Sequence, residues 1–148
     1  MDDLRPFSPD LLAGRRALVT GGGTGIGKAI ATALAAAGAD VVIAARRADV
    51  LDGAAAEIEA ATGRTIATDL VDIRDLETVT ALAARHGDVD ILVNNAGGQF
   101  PQKARDFSPN GWRTVIDLNL NGTWNMIQAF GDRMLDADGG SICNIVAT

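Results

Sequence analysis

The sequence predicts a three-layer αβα fold built on a doubly wound parallel sheet, and three observations lead there. Short β-rich runs alternate with amphipathic helical stretches over the 148 residues. The polar and glycine-bearing clusters fall at the carboxyl ends of those runs. One cluster, Thr20 to Gly27 (TGGGTGIG), follows the apolar Ala17-Leu18-Val19 and opens an alanine-rich helical pattern. Such alternation means right-handed βαβ units, and sheets of this kind bind ligands beyond the carboxyl ends of their strands.

Strands are expected at Arg16–Thr20, Asp40–Ala45, Thr65–Asp69, Val89–Asn94 and Ser141–Val146. Between the first two, Ile26, Ile30 and Leu34 recur at i+4 with Ala29, Ala33 and Ala37 beside them, one apolar helical face closed by Gly38. Val50, Leu51, Ala54 and Ile58 mark a second helix ending near Gly63; Leu76, Val79 and Leu82 mark a third ending near Gly87. A fourth begins at the Ser108-Pro109 cap and carries Trp112, Val115, Ile116, Leu120, Thr123, Ile127, Phe130 and Met134 at helical spacing. The strand from Ser141 ends this series, so its outer edge is expected to be unpaired.

Composition narrows the function classes. Aromatics are only 4% and hydrophobic residues 47%, dominated by alanine, as close helix packing on a sheet requires. A net charge of −6 argues against nucleic acid, whose phosphates need clustered Lys and Arg. The segment MDDLRPFSPD is acidic and lacks an apolar core, so no signal peptide or membrane span is expected there, and a cytoplasmic protein is the default. Residues 1–12 read as a leader and 13–148 as the folded domain. Cys143 lies in an apolar run and reads as a buried strand thiol. No metal-binding residues are assigned.

The glycine turn has a specific chemistry. Glycines let the backbone turn tightly and approach a pyrophosphate, while the N–H groups and dipole of the next helix stabilise its charge. Gly21, Gly25 and Gly27 are therefore the candidate pyrophosphate-binding residues, and Thr24 and Ile26 beside them are candidate cofactor-binding residues, with a plain turn as the alternative. A dinucleotide fold of the Rossmann type follows. About twenty residues beyond the glycines, an NAD-selective site carries a carboxylate for the ribose hydroxyls, whereas a 2′-phosphate needs a cation. Here the sequence reads Ala44, Ala45, Arg46, Arg47, which favours NADP(H) over NAD(H) unless both arginines are merely solvated.

Together these residues resemble the short-chain dehydrogenase/reductase family. TGGGTGIG matches its TGxxxGxG motif, Asp90 to Gly97 (DILVNNAG) its NNAG motif, and Asn119 to Thr123 (NLNGT) its asparagine-bearing helix segment. NNAGGQF, Gly111-Trp112, NLNGT and GGSICNIVAT look most like the branch of peroxisomal trans-2-enoyl-CoA reductases and their bacterial relatives. The resemblance implies that Asp72 accepts from the adenine amino group, with Asp69 as a competitor, and that Ile73 packs on the ring. It implies that Asn95, Ala96 and Gly97 run past the cofactor ribose while Asn94 braces neighbouring strands; on spacing alone NNAG reads as a strand-ending turn. Asn119 falls on an apolar stripe, where a buried amide needs a partner. The resemblance makes it a proton-relay residue; neighbouring backbone could satisfy it instead.

Lys103 and Arg105 either attract a phosphorylated or CoA-linked substrate or are solvated. His86 reads as a helix-terminal or surface residue without a partner. The family's strand-five serine falls at Ala147, beside Thr148, and the chain contains no tyrosine for the family's YxxxK pair. The expected protein is thus the dinucleotide-binding part of a reductase, without the family's catalytic and substrate part. It would act with a small-molecule substrate such as an acyl-CoA or another carbonyl compound, as a homo-oligomer (dimer or tetramer). A nucleotide-binding module without turnover is the alternative.

Overall fold

The computed structural model describes residues 7–99, 101–137 and 139–146. Strands β1 (Arg16–Thr20), β2 (Asp40–Ala45), β3 (Ile66–Leu70), β4 (Ile91–Asn94) and β5 (Ser141–Asn144) form one parallel sheet in the order β3-β2-β1-β4-β5. β1 is central, its Ala17-Leu18-Val19 run fully buried: Val19 pairs with Ile43 of β2 on one side and Val93 of β4 on the other. The order reverses at β1, between β2 and β4, which opens the crevice where such sheets take ligands.

Period-two alternation along β1 and β2 divides the interior. Ala17, Val19, Val41 and Ile43 join one core with Leu51 and Ile58, beneath α1 (Gly25–Ala36) and α2 (Ala48–Thr62). Leu18, Val42 and Ala44 point the other way, into a core with Leu82, Leu92, Met126 and Phe130. That side is covered by α3 (Leu76–Arg85) and α5 (Gly122–Asp136). Each fully buried aliphatic or aromatic side chain contributes about 2 kcal/mol, so helices are needed on both faces.

The α1 face differs from expectation. Gly27, Ala31 and Ala35 are buried, Ile30 and Leu34 flank them, and Ile26 is exposed. Small residues let the helix axis approach the sheet, and the bulky ones straddle the contact. Strand ends shift by one or two residues in β3, β4 and β5, the usual ambiguity of boundaries.

The expected fourth helix is α4 (Pro109–Ile116), capped by Ser108 accepting from Gly111 N at 3.0 Å, then a π-helical turn at Asp117–Asn121, then α5. The π turn resets the helical phase: Trp112 and Leu120 are exposed, whereas Met126, Phe130 and Met134 are buried at i+4 spacing. Cys143 is exposed, contrary to expectation, because all of β5 lies at the sheet edge and is exposed. Residues 1–6 of the expected leader lie outside the described residues. Of the remainder, Leu12 packs against the α1–α2 core and its N–H donates to Ala37 O at 2.8 Å.

At the amino ends of the strands, two aspartates preceding β4 clamp the start of β1. Asp90 accepts from Arg16 N at 2.8 Å and from the Arg15 guanidinium at 2.8 Å, while both Asp88 oxygens accept from Arg16 Nη1 at 2.5 and 2.6 Å. The backbone N–H and then Arg15 hold the Asp90 carboxyl below the usual carboxylate range. A depressed carboxylate stabilises the fold above its unfolded-state pKa, and that contribution fades as pH falls through the lower folded value. Asp90→Ala should therefore cost about 1–2 kcal/mol at neutral pH, since it strands a half-buried donor. Urea titrations of the two proteins should converge only below about pH 4, near the ordinary aspartate pKa.

Candidate functional site

The loops at the carboxyl ends of β1 to β4 build the site. Gly21 N donates to Ala44 O at 2.7 Å as β1 ends, and Gly21 (φ +66°) and Gly25 (φ +52°) take left-handed conformations that side chains resist. α1 then begins with no side-chain cap and no acidic residue in its first turn. Thr24, Gly25 and Ile26 are exposed there, so the free N–H groups and helix dipole face outward without an internal anion. Gly27 is required by packing: a Cβ would strike the Gly21 carbonyl and the Asn95 amide.

Thr20 locks this turn to the NNAG segment. Its buried hydroxyl accepts from Asn95 N and Ala96 N, both at 3.0 Å, and donates to Val93 O at 3.3 Å. Asn95 returns the link, its amide donating to Thr20 O at 3.0 Å and Gly21 O at 3.3 Å. The Asn95 side chain thus holds the glycine turn, while Ala96 and Gly97 carry the segment onward. Asn94 braces strands as the resemblance implies, donating to Asn144 Oδ1 at 2.9 Å across β4 and β5.

Arg46 and Arg47 border a cavity of about 120 Å³ shared with Gly21, Gly23 and Thr24. Both are exposed, and neither makes an ion pair among the described residues. Asp72 lies within electrostatic reach of Arg46. Its carboxylate takes the Arg74 guanidinium in a fork (2.9 and 2.5 Å), which holds it below the usual range, with the Arg74 N–H and the Arg46 charge adding to the effect. Ile73 turns its side chain into the core, 4% exposed, so it offers little of its surface to a ring.

Asp69 is committed elsewhere. It accepts from Arg85 at 2.7 and 2.9 Å and lies 2.9 Å from His86 Nε2. Burial pushes the Asp69 carboxyl up, but these hydrogen bonds outweigh burial and keep it below the usual range. His86 therefore has the partner that sequence reasoning did not find, brought to it by the packing of α3 along β3.

Asn119 sits in the π turn, exposed and not buried. Its amide donates to Gly98 O and Val115 O, both at 2.8 Å, and its Oδ1 accepts from Gly98 N at 3.1 Å. Neighbouring backbone satisfies it, because the widened turn swings the side chain towards the loop after β4. A larger cavity of about 630 Å³ opens beside it, lined by Ala96, Gly98, Thr123, Trp124 and Asn144. Lys103 and Arg105 are exposed and do not line it. The positions expected to replace the family serine, Ala147 and Thr148, lie outside the described residues.

The family profile described as short chain dehydrogenase matches residues 15–148. The chain belongs to that family. A zebrafish (Danio rerio) member named peroxisomal 2,4-dienoyl-CoA reductase is 40% identical over 146 residues, 96% of this chain and 49% of the relative. A D-threitol dehydrogenase of Mycolicibacterium smegmatis is 40% identical over 139 residues, 92% of this chain and 54% of the relative. The solved structure of a citronellol catabolism dehydrogenase, AtuB, from Pseudomonas aeruginosa superposes with a TM-score of 0.87 at 38% identity. It covers 96% of this chain and 59% of that one. The chain thus spans about half the length of the curated relatives it matches. The expected likeness to the enoyl-CoA reductase branch stands on the first of these relatives.

Sequence reasoning passed over Thr20 and Arg74 as site residues. A hydroxyl ending an otherwise apolar strand was the available signal for Thr20. Thr20→Val keeps the shape but orphans two backbone donors, so it should cost about 2 kcal/mol, read as a lower urea midpoint with an unchanged m-value.

Proposed function

We propose that this chain is the cofactor-binding part of an NADP(H)-dependent reductase acting on an activated double bond of an acyl thioester. Support for the cofactor class comes from family membership together with the uncapped, acid-free start of α1 beside the glycine turn. The single observation that carries NADP(H) over NAD(H) is the 120 Å³ cavity, where Arg46 and Arg47 stand with the glycine turn and no carboxylate lines the wall. In this reading Gly21, Thr24, Gly25, Ile26 and Gly27 hold the pyrophosphate, and Arg46 pairs with the 2′-phosphate while Arg47 reinforces the local field. Asp72 accepts from the adenine amino group, while Ile73, turned into the core, supports the turn beneath it and adds little ring contact. Asn95, Ala96 and Gly97 pass the ribose, Asn95 through its carbonyl because its N–H and its side-chain amide are both engaged.

When bound, the nicotinamide supplies or accepts hydride. The larger cavity beside Asn119 suits the reacting end. There Asn119 fixes the Gly98 backbone and, in the relay role we assign it, orders a water at the exposed side of the π turn. The thioester class rests on the dienoyl-CoA reductase name of the zebrafish relative; the threitol dehydrogenase name favours an alcohol or carbonyl substrate as the second reading. A third reading is a nucleotide-binding module without turnover. Cytoplasmic location and homo-oligomerisation belong to the proposal. Among the described residues, no helix is long and apolar enough to cross a membrane.

Calorimetric titration of the chain with NADPH and NADH tests the cofactor assignment. Removing one charge-assisted phosphate contact costs about 1.5–3 kcal/mol, so Arg46→Ala should weaken NADPH by roughly ten- to a hundredfold and leave NADH unchanged. An unaltered NADPH/NADH preference would remove the NADP(H) assignment. Crotonyl and acetoacetyl thioesters, assayed with the gene's whole product, separate the enoyl and carbonyl readings from a module that oxidises no NADPH.

A further inference from the structure

The segment Val71–Asp75, which carries Asp72, is shaped mostly by its own neighbours. Val71 N donates to Ala45 O at 3.0 Å, and Asp75 N donates to Asp72 O at 2.9 Å. Thr78 Oγ1 accepts from Asp72 N at 3.2 Å and donates to Asp72 O at 2.9 Å. These bonds fix the form of the turn and tie it to β2 and α3. A further one comes from a distant helix: the Asn125 amide of α5 donates to Ile73 O at 3.0 Å across 52 residues of sequence. One turn earlier, Gly122 sits directly on Ile73, since a Cβ there would come within 2.7 and 2.8 Å of the Ile73 Cγ1 and Cδ1 atoms. Residues three apart share a helix face, so Gly122 and Asn125 grip the same residue, one by contact and one by hydrogen bond.

We infer that Asn125 is a positioning residue for the adenosine end of the cofactor site, fixing where the Asp72 carboxylate stands relative to Arg46. The inference rests on the proposed nucleotide reading. Asn125 is partly buried, so its bond to Ile73 O is shielded, and removing the donor leaves a carbonyl without its partner. Asp72 is the residue before Ile73. A shift of the Ile73 carbonyl therefore moves the acceptor meant for adenine, while Arg46, carried after β2, stays in place. Holding the turn in advance lowers the ordering cost of binding at this end. The π turn that runs into α5 reaches the other loop through Asn119, which takes Gly98 by both its N–H and its carbonyl. Asn125 thus does for the adenosine side what Asn119 does beside the larger cavity.

The test uses adenosine 2′,5′-bisphosphate as the probe, titrated calorimetrically into the chain and two variants. Asn125→Leu keeps the volume and removes the donor; with about 1–2 kcal/mol at stake, affinity should fall roughly tenfold. Amide hydrogen exchange should quicken at Val71–Asp75 while β1 and β4 keep their protection, a pattern that a general loss of stability would not give. Gly122→Ala keeps Asn125 but presses on Ile73, and it should weaken the probe as well. If Asn125→Leu fails to fold, the affinity of Gly122→Ala decides. Unchanged affinity in a folded variant overturns the inference, as does exchange that quickens throughout the sheet. Failure of the unaltered chain to bind either the probe or NADPH overturns the nucleotide reading itself, and this inference with it.

Discussion

At the carboxyl ends of β1 and β4, a single hydroxyl joins the two halves of the crevice. Thr20 is fully enclosed, and its oxygen takes the N–H groups of Asn95 and Ala96, while the Asn95 amide spans back to the carbonyls of Thr20 and Gly21. Backbone groups leaving a sheet lose their ladder partners and must find others or remain with water. Here they find each other, and the geometry of both loops follows. The glycine turn is set against the NNAG segment, which permits the close approach of Gly27 and fixes how α1 presents its amino end. Buried hydrogen bonds of this kind are hard to break singly because each loss leaves a desolvated donor or acceptor behind.

Charge is arranged around that lock with little waste. At the amino ends of the strands, aspartates and arginines neutralise one another in pairs, as with Asp90 and Arg15 or Asp88 and Arg16. Along β3, Asp69 is taken by Arg85 and His86. At the crevice, Arg46 and Arg47 have no such partners among the described residues, in a chain whose net charge is −6. A cation kept free beside a glycine turn is suited to an anion from outside, and the acidic remainder of the surface makes that attraction local.

The long helical stretch after Ser108 shows how a local irregularity serves placement. A continuous α-helix through residues 109–136 would keep one apolar stripe in phase. The π turn at Asp117–Asn121 breaks the phase, so α5 can bury Met126, Phe130 and Met134 while Asn119 turns to the loop at Gly98. π turns concentrate at functional sites because they redirect side chains that a regular helix would align. Downstream of it, α5 packs Gly122 against Ile73, and so two loops of the crevice rest on one element.

Most of the fold was legible in the sequence because its signals are local. Alternating periods, glycine and serine caps and the apolar run within β1 each act within a few residues, and they sufficed for five parallel strands and helices on both faces. The glycine turn and the arginine pair were legible for the same reason, since their chemistry is written in adjacent positions. Burial in the last third was not. Exposure of Cys143 depends on β5 lying at the edge, and exposure of Asn119 depends on a π turn that leaves no periodic trace. Nor could spacing show that Asp69 meets His86, that Thr20 holds Asn95, or that Asn125 reaches Ile73. Those pairs lie 17, 75 and 52 residues apart, and only the packing of helices on the sheet brings them within hydrogen-bonding distance. The sequence by itself determined which elements form and where the glycine turn and the arginine pair stand; the tertiary structure alone decided which polar groups satisfy each other and which remain without a partner among the described residues.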